Sequence, residues 1–194
     1  MYEYIKGKIA SANATQVVID CGGVGYLLEV TLNTYAQLKD REEALLWVYE
    51  VVREDAFTLY GFAEKSEREM FELLIGVSGI GAGTARVMLS SMTVGELARA
   101  IVEGNAKAIQ KIKGIGGKTA QRVTIELADK VVEYAGAGVS AGAAAPVAMT
   151  ANKSDAQAAL IMLGFPKPAV EKALGQLDNS LTVEELIKQA MQRM

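Results

Sequence analysis

"KIKGIGGKTAQR" (residues 111–122) has the look of a loop that holds phosphate. A nucleotide P-loop needs G-x-x-x-x-G-K-[ST] after a strand, so that glycine-rich backbone can curl around the phosphates before a helix begins. The triplet Gly117, Lys118, Thr119 would need glycine at position 112, where Ile112 stands, and the preceding "NAKAIQKI" reads as helix. Autonomous hydrolysis of a nucleotide is therefore not expected of this chain.

A shift of 35 residues explains the stretch better, because "VSGIGAGTARVML" (residues 77–89) then lies on "IKGIGGKTAQRVT" (residues 112–124). Gly79, Ile80, Gly81, Thr84 and Ala85 fall on Gly114, Ile115, Gly116, Thr119 and Ala120. The duplicated unit is helix, h-x-G-I-G hairpin, helix, and each copy resembles the helix-hairpin-helix motif. Such a hairpin aims backbone N–H groups and a helix N-terminus at a phosphate. Glycine suits it for two reasons: positive φ, and no Cβ to hold a strand away. Ile80 and Ile115 are the expected apolar anchors. In the second copy Lys118, Gln121 and Arg122 share one helix face, while Ala120, Val123, Leu127 and Val131 line the other. Lys118 and Arg122 are thus expected to flank a nucleic-acid phosphate. Contacts of this kind read no bases, so binding should follow DNA structure and depend steeply on salt.

The rest of the chain frames this pair of motifs. Residues 1–62 read as five short strands, "YIKGKIA", "QVVIDC", "YLLEVT", "LLWVYEVV" and "FTLYGF", with turns at "SANAT" and "CGGVG" and a short helix at "LNTYAQL". Five strands in so short a span predict a small OB-like β-barrel. From residue 64 the period turns helical, and Ser66 with Glu69 three places on reads as a capping box. Residues 135–151 are small and uncharged, a flexible linker in composition. Beyond them "SDAQAALIMLGF", "PAVEKALGQL" and "TVEELIKQAMQRM" read as three short helices, too small a core to enclose an active site. The expected class is multidomain α+β: an OB-like barrel over 1–63, a tandem helix-hairpin-helix region over 64–134, the linker, and a three-helix bundle over 152–194.

Composition narrows the chemistry. The chain of 194 residues has no histidine and one cysteine, Cys21, which rules out a His-based triad, a His/Cys metal site and an internal disulfide. No catalytic residue, metal or cofactor is expected. No apolar stretch reaches spanning length unbroken, nor does the N-terminus carry a secretory pattern; a cytosolic protein without a membrane partner is expected. The net charge is −3, but no acid lies between Glu103 and Glu126, where Lys107, Lys111, Lys113, Lys118 and Arg122 gather. One feature sits badly with a generic DNA binder. "VVREDAFTLYGF" (residues 51–62) places Glu54 and Asp55 at the tip of a barrel hairpin, and carboxylates repel phosphates. Two neighbouring carboxylates are too few for a two-metal nuclease, although a structure-specific nuclease using the motifs for delivery is the alternative from a different class.

In their order, "CGGVGY", "VVREDAFTLYGF", "SGIGAGTA", "KGIGGKTAQR" and "ALIMLGF" resemble the RuvA family, the Holliday-junction-binding subunits of the bacterial branch-migration complex, over all of the chain but the linker. The resemblance implies a homotetramer, or two tetramers on DNA, that holds a four-way junction open. It implies a C-terminal UBA-like bundle that binds the hexameric RuvB ATPase, with the RuvC resolvase as a further partner. By carry-over Glu54 and Asp55 form an acidic pin at the crossover. The DNA contacts are Gly79, Gly81, Gly83, Gly114, Gly116, Gly117, Lys118 and Arg122, and Leu163, Gly164 and Phe165 belong to the partner-binding unit. Two departures stand out: Gly83 and Gly117 occupy places where lysine is common in the family.

Overall fold

The computed structural model describes residues 1–136, 151–162, 165–178, 181–191 and 193. They fall into two compact units, one ahead of residue 140 and one after it. The first unit opens with five strands: β1 (Tyr4–Ala12), β2 (Gln16–Cys21), β3 (Val24–Val30), β4 (Glu43–Val52) and β5 (Phe57–Phe62). They close into a barrel in the order β1-β2-β3-β5-β4, antiparallel except for β3 against β5. Gly22 and Gly23, at φ 65° and 95°, form the two-residue turn that lets Cys21 pair with Val24.

Strand β4 shows how an alternating sequence serves two cores. Ala44, Leu46 and Val48 point into the barrel with Ile19, Leu28 and Leu59. On the opposite face Trp47, Tyr49 and Val51 pack against the helical core. Phe62 and Tyr60 of β5 join them around Phe71, at ring separations of 5.0 and 5.1 Å. The helices of this unit are α1 (Leu32–Leu38), α2 (Lys65–Ile75), α3 (Ala82–Ser91), α4 (Val94–Val102), α5 (Ala106–Gln110), α6 (Gly117–Glu126) and α7 (Val132–Ala135). They enclose Met70, Leu74, Met88, Leu97, Ile101, Ile109, Val123 and Val131, all at most 1% exposed.

The start of α2 departs from the sequence expectation. The helix begins at Lys65 with Glu64 as N-cap and no side-chain capping bond, so Ser66 lies in the first turn instead of capping it. The physical reason lies in Glu67, which is 4% exposed. Thr31 and Thr34 of the α1 turn each donate a hydroxyl hydrogen bond to it, both at 2.6 Å, and Ala63 N–H donates to Thr34 Oγ1 at 3.0 Å. This tertiary network fixes the phase of α2. Burial holds the Glu67 carboxyl above the usual carboxylate range, against the pull of the two hydroxyls.

The second unit contains α8 (Ala151–Met162), α9 (Lys167–Gly175) and α10 (Val183–Met191) around Leu160, Val170, Leu174 and Leu186. Helix α8 starts three residues ahead of the expected Ser154. Thr182 and Glu185 exchange hydrogen bonds at the head of α10, a capping box. Among the described residues no helix is long and apolar enough to cross a membrane.

Candidate nucleic-acid interface

The 35-residue repeat in the sequence is a repeat in the backbone. Gly79 and Gly114 sit at φ 94° and 91°, a conformation that side chains other than hydrogen rarely allow. Ile80 N–H donates to Val77 O at 3.0 Å, and Ile115 N–H donates to Ile112 O at 3.1 Å. Ala85 N–H returns to Gly81 O and Ala120 N–H to Gly116 O, both at 2.9 Å. Ile80 and Ile115 are 5% and 6% exposed, the expected anchors beneath each turn.

Each hairpin delivers a helix whose N-cap is a glycine in extended conformation, Gly81 for α3 and Gly116 for α6. Neither has a side-chain cap. By contrast Thr31, Thr93 and Asn105 cap α1, α4 and α5. The first N–H groups of α3 and α6 are therefore left for an external acceptor, with the helix dipoles behind them. A Cβ added at Gly81, Gly83 or Gly116 would meet nothing within 4 Å, so these glycines answer no internal crowding. At Gly117 the nearest neighbour of a Cβ would be the Gln110 side chain, at 3.6 Å.

The two motifs touch. Thr119 Oγ1 lies 3.8 Å from the Cβ position of Gly79. Arg122 reaches from α6 to the first hairpin, its Nη1 donating to Ser78 O at 2.9 Å, while its Nε lies 3.5 Å from Glu126. Lys111, Lys113 and Lys118 surround the second hairpin as exposed side chains. The cation on the helix that follows the first hairpin, Arg86, is turned to the barrel: it pairs with Glu29 and donates to Thr15 O at 3.2 Å. Asn33 of α1 completes that attachment by donating to Leu89 O and Met92 O at the end of α3.

Glu54 and Asp55 occupy the four-residue tip between β4 and β5, all of it exposed and closed by Arg53 N–H donating to Ala56 O at 2.8 Å. The base of this hairpin borders a cavity of about 340 Å³ whose other wall is Ile75, Ile80, Gly81 and Ala82. The acidic tip thus stands on the strand pair that packs beside the first hairpin.

In the second unit Leu160, Val170 and Leu174 are core, and Phe165 is partly buried against them. Leu163 and Gly164 lie outside the described residues, as does most of the 135–151 segment. Sequence reasoning missed the internal bond of Arg122, whose partner is 44 positions away. It also named Lys111 and Lys113 only as part of a field, although their place beside the second hairpin was visible in the spacing.

Comparison with known families matches residues 1–61 to the RuvA N terminal domain, residues 71–129 to the SAM-like helix-hairpin-helix tandem, and residues 151–194 to the RuvA C-terminal domain. The chain is 44% identical over its full length, and that of the relative, to a Holliday junction branch migration complex subunit RuvA of Bacteroides fragilis. It is 47% identical to the protein of that name from Cytophaga hutchinsonii, over 98% of each chain. The corresponding protein of Flavobacterium psychrophilum is 43% identical over 198 residues.

Proposed function

The chain belongs to the RuvA family, and from that membership we propose that it is the Holliday-junction-binding subunit of a branch-migration complex in recombination and repair. It is a non-catalytic subunit. The carrying observation is the pair of hairpins with one backbone geometry, Gly79 matching Gly114 and Gly81 matching Gly116, each followed by a helix whose N-terminus has no side-chain cap.

On this reading the amides at Gly79, Gly81, Gly83, Gly114, Gly116 and Gly117, with Lys118, hold two phosphates of a DNA arm without reading its bases. Glu54 and Asp55 are the acidic pin. Repulsion between their carboxylates and the phosphates keeps continuous duplex from lying across the barrel, whereas strands that part at a crossover can pass on either side. Four copies around one junction supply four pins and eight hairpins, the homotetramer implied by the family, with a second tetramer closing the other face. The C-terminal unit recruits the RuvB ATPase, which supplies the motor, and RuvC acts on the same junction in the cytoplasm. The nuclease alternative gains no support.

The deciding experiment is a gel-shift titration of an immobile four-way junction against linear duplex at two salt concentrations, for wild type and Glu54→Ala/Asp55→Ala. Strong junction preference that shrinks in the double variant is the expected result. Equal affinity for both DNAs would leave a generic backbone binder.

A further inference from the structure

Arg122 looks from the sequence like a second phosphate ligand beside Lys118, but two of the three nitrogens of its guanidinium have partners within the protein. Nη1 donates to Ser78 O at 2.9 Å, and Nε faces Glu126 at 3.5 Å on its own helix. The acceptor is significant. Ser78 O belongs to the peptide whose other end is the N–H of Gly79, the residue at φ 94°. In a trans peptide the C=O and N–H point in opposite directions. Fixing this carbonyl toward α6 therefore fixes the Gly79 N–H away from it.

The repeat supplies an internal control. Subtracting 35 from Arg122 gives Val87, and subtracting 35 from Lys113 gives Ser78. Val87 has no donor, so α3 offers the second hairpin nothing equivalent to the grip that α6 exerts on the first. The support runs one way. It goes to the hairpin whose own following helix spends its cation, Arg86, on Glu29, and not to the one surrounded by Lys111, Lys113 and Lys118.

We infer that Arg122 is a positioning residue and not a phosphate ligand: it locks the Ser78–Gly79 peptide and sets the distance between the two hairpins, so that the first hairpin, which carries no lysine, is already shaped when DNA arrives. Pre-organisation of this kind lowers the ordering cost of binding without adding a contact. The inference rests on the reading of the hairpins as the DNA interface.

The test is a double-mutant cycle on the full-length protein, with affinity for an immobile four-way junction read by fluorescence anisotropy across a salt series. Arg122→Met keeps the aliphatic stem and helix propensity, and a thermal melt close to that of the wild type checks folding. Gly81→Ala blunts the first hairpin and Gly116→Ala the second. Arg122→Met is expected to weaken binding about tenfold in the wild-type and Gly116→Ala backgrounds and less than about threefold in Gly81→Ala. The slope of log affinity against log salt should stay at its wild-type value, whereas loss of a phosphate ligand would reduce it by about 0.9. Equal losses in both glycine backgrounds, or a reduced slope, would overturn the inference while leaving the interface intact. Glycine variants that bind as well as the wild type would sink the interface and the inference together.

Discussion

Residues 76–81 and 111–116 fold into the same turn, but they are held from different sides. The first is bound into the barrel: α3 is tied to β3 and the β1–β2 turn through Arg86, to α1 through Asn33, and α2 to α1 through Glu67. The second rests on other helices and carries the exposed lysines. What was duplicated is a backbone that exposes amides; anchoring and charge differ between the copies. On the proposed reading the first hairpin serves orientation relative to the acidic tip and the second electrostatic capture.

The largest effect is expected at the anchor. Glu67→Ala leaves the Thr31 and Thr34 hydroxyls without their buried acceptor and opens a void, which should cost about 3 kcal/mol in chemical denaturation. Glu67→Gln, milder, tests the pH dependence. Because burial raises the Glu67 pKa above its ordinary 4.5, the folded state holds this proton more tightly than the unfolded chain. Stability from this group is then fullest below the ordinary value and declines as pH rises through the raised one. The stability gap between wild type and Glu67→Gln should therefore narrow from pH 4 to pH 7. A gap that widens would show that the carboxylate is better served by its threonines than by a proton.

Next come the turns themselves. Gly79→Ala and Gly114→Ala each force a side chain to φ above 90° and should each lose about 1–2 kcal/mol. Nearly equal losses would sharpen the claim of one duplicated backbone. A much smaller loss at position 114 would mean that the second hairpin relaxes where the barrel-bound first cannot. For charge the copies should separate: Lys118→Ala is expected to reduce the salt slope of junction binding by about 0.9, and Arg86→Ala to leave it unchanged while lowering the melting temperature.

The legible and illegible parts of this molecule divide along the same line. Strands β2 and β5, helix α1 and the Gly22-Gly23 turn could be placed to the residue, because a period of two and local turn chemistry are written in adjacent positions. The hairpins were legible through repetition, since two glycine patterns in one register are difficult to produce by accident. Ser66 was misplaced as a cap, and the internal partner of Arg122 was missed, for a common reason. A local rule sees only the helix cap or the basic face, and each side chain answers to a partner far along the chain: Thr31 and Thr34 through Glu67 in one case, Ser78 in the other. Side chains that join one element to another are what periodicity cannot show.

The smallest effect on stability is expected where the effect on binding is informative. Gly81 and Gly116 have extended backbone that any residue adopts, and an added methyl group would meet nothing within 4 Å. Gly81→Ala and Gly116→Ala should therefore change unfolding free energy by no more than about 0.5 kcal/mol, as surface substitutions usually do. If glycine is there so that a phosphate can approach the amides, junction affinity should nevertheless fall in both. The fall should be larger at Gly81, where no lysine compensates for a displaced phosphate, than at Gly116, where Lys113 and Lys118 still attract it. Unchanged affinity with unchanged stability would leave these two glycines without a physical reason, and with them the proposal that the open space above each helix belongs to DNA.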